Sequence, residues 1–136
     1  MKSIVKLSLS LIFVAGVFTT SCKDEDDYET IEFADKVKID SVKIINDTMS
    51  VFSVQSIRTY STYASKCQGF YGYDYVHSGN FSRHITAYQY HTNGSCTQAN
   101  YVSANQINFS PQQVGTYTFK FWNGDNNFIT KTIVVE

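Results

Sequence analysis

Apolar and polar residues alternate through most of this chain, and from residue 36 onward the apolar positions are filled largely by Val, Ile, Phe and Tyr interleaved with Ser and Thr. A period of two in β-branched and aromatic residues predicts strands rather than helices. In "KVKIDSVKII" (36–45), Val37 and Ile39 fall on one parity and Val42 and Ile44 on the other. The inward face therefore flips near Asp40–Ser41, as a bulge would produce, or a first strand that passes from one sheet to another. Further strands are predicted within 49–64, as two short ones or one bent one, and at 69–77, 81–91, 99–109, 115–122 and 127–136. The segments "SGN" and "NGD" mark hairpin turns. All three leucines (Leu7, Leu9, Leu11) precede this region, and nothing after Cys22 has helical periodicity. The expectation is a single all-β domain.

The N-terminus follows a different pattern. Lys2 and Lys6 lead into "LSLSLIFVAGVF" (7–18), an apolar run of 12 residues. A bilayer-spanning helix needs about 20 apolar residues, so the run fits the core of a secretory signal instead. It ends at "TTSCKDEDD" (19–27), where Ser21–Cys22 supplies a small residue followed by a cysteine. This junction resembles the processing site of bacterial lipoproteins, and the acidic run after it resembles the export tag of Bacteroidota-type surface lipoproteins. The resemblance implies a signal peptide over 1–21, acyl chains on Cys22, and an acidic tether over 22–35 ahead of a domain spanning 36–136. It further implies an exported protein exposed at the outer membrane, with the membrane as partner through its lipid anchor. Each buried methylene of such chains contributes about 0.8 kcal/mol, and no transmembrane helix is required.

With Cys22 assigned to lipid, the remaining cysteines, Cys67 and Cys96, are expected to pair. The disulfide would close a loop of about 30 residues, worth about 3.5 kcal/mol on the chain-entropy account.

Charge changes the picture mainly by exclusion. Nine of the twelve acids lie between Asp24 and Asp47, whereas residues 48–136 carry three acids and five scattered cations. That is no nucleic-acid footprint. The chain has no G-x-S-x-G elbow, H-E-x-x-H pair or phosphate-cradling glycine loop, and Asp74 has no second carboxylate near it in sequence for glycosidase chemistry. No catalytic residue, metal or cofactor is expected.

The segment "VGTYTFKF" (114–121) is similar to the penultimate strand of immunoglobulin-like sandwich domains. There, a tyrosine after a small-residue turn forms a corner. The resemblance puts Tyr117 at the corner and Phe119 where antibody-type domains carry a cysteine. It implies an immunoglobulin-like antiparallel β-sandwich, with an up-and-down barrel as the alternative. Cys67–Cys96 does not match the usual inter-sheet bridge, and Trp122 is not midway between cysteines.

Candidate chemistry concentrates on the predicted hairpin over 69–91. A two-residue turn at Gly79–Asn80 would pair residues whose numbers sum to 159, setting Tyr75 opposite His84 and Tyr73 opposite Thr86. Tyr71, Tyr73, Tyr75 and His77 would then share one face with His84, Tyr88 and Tyr90, while Phe70, Val76, Phe81 and Ile85 faced the core. His77 and His84 lack a third ligand for zinc. A row of amphipathic rings suits stacking on sugars or anchoring a protein partner. The sequence therefore points to a surface-displayed, non-catalytic recognition or adhesion module binding a glycan or protein ligand. The alternative is a structural or accessory subunit of an envelope complex.

Overall fold

The computed structural model describes residues 29–136. The signal peptide expected over 1–21 and the lipidation expected at Cys22 fall outside the described residues. Among those described there is no helix, and nine strands form two sheets. They are β1 (Ile31–Val37), β2 (Ser41–Ile44), β3 (Thr48–Met49), β4 (Gln55–Tyr63), β5 (Gln68–Gly79), β6 (Ser82–Thr92), β7 (Tyr101–Phe109), β8 (Gly115–Trp122) and β9 (Phe128–Val135).

The smaller sheet runs β2-β4-β7, with every pairing antiparallel. In the larger sheet β6 is the hub: β5 pairs along one edge, while β1 and β8 share the other end to end, and β9 and β3 continue beyond β8. The two sheets pack face to face as a β-sandwich. Two pairings are parallel, β6 with β8 and β3 with β9. The parallel β6–β8 pair departs from the antiparallel sheets of the immunoglobulin fold.

The parity flip at Asp40–Ser41 is a change of sheet. β1 belongs to the larger sheet and β2 to the smaller one, and the connection is held by Ile39 N donating to Trp122 O (3.0 Å) and Asp40 N to Tyr60 O (2.7 Å). Val37 and Ile39 therefore bury against one sheet, while Val42 and Ile44 pack from the other. β1 also starts earlier than the sequence indicated. Ile31–Asp35, expected within the tether, form a strand on β6 because Phe33 stacks on His91 (centroids 4.2 Å apart) and Asp35 Oδ1 accepts from His91 Nε2 at 2.7 Å.

Between the sheets lie Ile57, Ile85, Phe109, Phe119, Phe121 and Ile133, all buried. Each such side chain contributes about 1.5–3 kcal/mol through removal of apolar area from water. The penultimate strand carries the corner expected of it. Tyr117 is buried and its hydroxyl donates to Gln113 O at 3.1 Å, four residues upstream. Cys67 and Cys96 form a disulfide, with Cα atoms 5.6 Å apart, clasping the open end of the β5–β6 hairpin.

Candidate functional site

From the Tyr71 bulge to the tip, the hairpin forms in a register one residue away from the expected one, which survives only at the base, as at Phe70–Gln89 and Gly69–Tyr90. Its turn residues are Asn80 and Phe81, with Gly79 paired to Ser82, and Ser78 is an extra residue on β5 between the Gly79 and His77 pairs. From there Tyr75 sits opposite Ile85 and Tyr73 opposite Ala87. A slip of one residue moves every side chain to the other face of a strand. Tyr73 and Tyr75 accordingly pack against the core rather than standing in solvent, and Val76 is exposed. Phe81 explains the slip. Its ring stands edge-on to Tyr117 (5.1 Å) and lies so close to Gly115 that a Cβ there would meet it at 2.6 Å, while Phe81 O accepts from Thr118 N at 2.8 Å. These contacts hold Phe81 in the turn.

The row of seven rings is thus dispersed. Tyr71 is the bulged residue between Phe70 and Gly72 and is 60% exposed. His84 faces Phe128, with centroids 5.8 Å apart, on the far side of the sheet from Tyr73 and Tyr75. Tyr88 and Tyr90 are half-buried, Tyr90 crossing Gly69, where any Cβ would meet its ring at 2.5–2.9 Å. Only Tyr73, Tyr75 and His77 are brought together, along the inward face of β5 towards the hairpin tip.

There the sheets part. The tip of β5–β6 and the end of β7 with its connection to β8 enclose an open groove of about 670 Å³. Tyr73, Tyr75 and His77 form one wall, with Tyr75 and His77 edge to face at 5.6 Å. The opposite wall comes from "QINFSPQQ" (106–113), where Gln112 and Gln113 carry amides, while Gln106 and Asn108 have the outward parity of β7 and bond each other, Gln106 Nε2 donating to Asn108 Oδ1 at 2.7 Å. Pro111 is buried there, and its carbonyl accepts from Phe52 N at 2.9 Å, tying the connection to the neighbouring loop. The deep side is closed by Phe109, Tyr117 and Arg83.

Arg83 was not singled out by the sequence, nor were the amides of Gln112 and Gln113. An arginine inside a strand pattern reads as a solvated position, yet Arg83 shares the inward parity of Ile85 and Ala87 on β6. It is 7% exposed. Its Nη1 donates to the carbonyls of Gly79, Asn80 and Ser82 at 2.9–3.2 Å, and the guanidinium lies over the Tyr117 ring, 5.3 Å from its centroid. Nε is buried with no hydrogen-bond partner. No carboxylate of the described residues forms an ion pair with Arg83, and none lines the groove.

The inward tyrosines stay neutral well beyond neutral pH. Burial raises the Tyr75 hydroxyl above its ordinary range, with the neighbouring Arg83 opposing. Tyr73 is raised by burial too, against a hydrogen bond with Thr59. Deeper between the sheets, burial chiefly, with Tyr101 and Tyr73 adding, pushes Tyr63 up to about 12. Such hydroxyls and the facing amides can each donate and accept hydrogen bonds, while the rings offer apolar faces. The arrangement suits a ligand that is hydroxyl-rich and has flat apolar faces.

Metal chemistry finds little purchase among the described residues. Glu29 lies within 4.8 Å of both cysteine sulfurs, but these are joined to each other. His77 and His84 do not converge, since they face opposite sides of the sheet. Compared with known protein families, with curated proteins and with solved structures, the chain finds no match.

Proposed function

We propose that this protein is a non-catalytic recognition module that binds a saccharide in the groove between the β5–β6 tip and the β7–β8 connection. The observation that carries the reading is the composition of the groove, with tyrosine rings on one wall facing side-chain amides on the other. Rings stack on the apolar faces of sugars and amides bond their hydroxyls. Among the described residues no carboxylate lines the groove, so they do not assemble there the pair of acids that glycoside hydrolysis requires. The Ser21–Cys22 junction and the acidic run behind it support display at the outer surface of the cell on a lipid anchor. Retention of the purified protein on immobilised polysaccharides, and its loss in the Tyr75→Ala variant, tests the reading. A protein retained by no polysaccharide contradicts it.

A second reading, an accessory subunit of an envelope complex, draws on a different observation. Phe52 is 73% exposed at a positive φ of 63°, a conformation uncommon for a bulky residue, and Val54 and Val114 are exposed as well. Obligate co-purification with an envelope protein favours this reading, and a stable monomer favours the first.

A further inference from the structure

We infer that the ligand of this groove is acidic, and that its carboxylate is held at the Arg83 end. The inference rests on the saccharide reading given above and names the class of sugar, a uronic acid. Arg83 is a permanent cation, more than nine-tenths buried, with its Nε unpartnered. Three carbonyls and the face of Tyr117 surround the guanidinium, and these are dipoles and a quadrupole, not charges. A buried charge is ordinarily compensated by an opposite one, because desolvation disfavours it alone. Within the described residues that opposite charge is missing. The nearest acid on either side in sequence does not supply it: Asp74 lies on β5 with the opposite parity to Tyr73 and Tyr75, and Asp125 is in the β8–β9 loop, outside the groove.

The uncompensated cation forms part of the groove wall, and among the described residues the only other titratable groups lining the groove are His77 and tyrosines. The field inside is therefore positive and is not cancelled locally. An anion entering between the rings and the amides would meet a preorganised positive charge in a partly desolvated site, where charge pairing is stronger than in open water. A neutral sugar could use the rings and amides but would leave Arg83 as it is. A uronic acid uses all three.

The test is calorimetric titration of the purified protein with oligouronates of galacturonate, guluronate and glucuronate, each paired with its methyl ester, and with neutral β-glucan and xylan oligomers. The expected result is binding of at least one acid form at least tenfold tighter than its ester, weakening as NaCl is raised. Arg83→Met should abolish the preference and Arg83→Lys should keep part of it. The comparison of acid with ester needs only the unaltered protein, so it decides the matter even if the Arg83 variants fold poorly. Equal binding of acid and ester, or tighter binding of neutral oligomers, overturns the role of Arg83 while leaving the saccharide groove standing. Binding of no saccharide overturns both, and selective binding of a peptide with a free C-terminal carboxylate over its amide would do the same.

Discussion

The Tyr73 hydroxyl lies 2.6 Å from Thr59 Oγ1, spanning the gap between the two sheets. Thr59 is on β4 in the smaller sheet and Tyr73 on β5 in the larger, so the bond fixes which way β5 faces. It also marks where the apolar core gives way to the groove, since Tyr73 is at once a core neighbour and a groove wall. If the tyrosine row faced solvent, Tyr73→Ala would leave stability unchanged. In the observed register it is expected to cost about 2 kcal/mol, below the 3–5 kcal/mol of a fully buried aromatic because Tyr73 is half-buried. Tyr73→Phe and Thr59→Val, combined in a double-mutant cycle by urea denaturation, should show a coupling of about 1 kcal/mol. Zero coupling would place the hydroxyls apart.

Phe119 and Tyr117 separate packing from the corner bond. Phe119 is fully buried among Phe109 and Phe121 (5.0 and 6.3 Å between centroids), so Phe119→Ala is expected to destabilise by about 3–5 kcal/mol. Tyr117→Phe keeps the ring against Phe81 and Phe109 but removes the donor to Gln113 O, and should cost about 1 kcal/mol. Thermal melts of the two variants check the order.

These two residues also show how much of the molecule was legible in the sequence. The strands were, because alternation of Val, Ile, Phe and Tyr with polar residues is a local signal, and the change of parity at Asp40–Ser41 announced either a bulge or a change of sheet, of which the second is found. The tyrosine corner and the cysteine pair were legible too. The hairpin register was not. It is set by Phe81 packing on Gly115 and Tyr117, more than thirty residues away in sequence, and by the extra residue Ser78. The site suffered accordingly. Tyr73, Tyr75 and His77 were found but assigned to the wrong face, and Arg83 was missed because a charged residue in a strand reads as solvated even where, like Arg83, it has the parity of the buried Ile85. The run "NQINFSPQQ" (105–113) is rich in amides, yet nothing local places it against the hairpin tip.

Replacing Cys67 and Cys96 by serine releases a loop of about 30 residues and should lower stability by about 3.5 kcal/mol. The hairpin end near Gln68 and Thr92, held also by Thr92 N donating to Cys67 O at 2.9 Å, should then lose hydrogen-exchange protection first. Unchanged protection at that end would deny the clasp a structural role.

Alkaline pH should unfold the protein through its buried tyrosines. Tyr63 is raised to about 12 from 10.0, and Tyr73, Tyr75 and Tyr101 are raised as well, so the folded state holds these protons more tightly than the unfolded one. The stability they contribute is fully present below about pH 10 and is lost as pH rises towards 12. Denaturant melts across pH 8–12, with tyrosinate absorbance followed in parallel, are expected to show stability flat on this account to pH 10 and falling beyond it. A decline complete before any tyrosine ionises would point to another group.

The most direct test of the recognition groove is its mapping on the molecule itself. Backbone amide shifts of the isotope-labelled protein, recorded while the retained saccharide is titrated in, should change at Tyr75, His77 and Arg83 and along Phe109–Gln113, excluding Pro111, which has no amide proton. The outer face of the smaller sheet, at Lys43 and Arg58, should stay still. Shifts centred on that outer face, with the groove unmoved, would contradict the account.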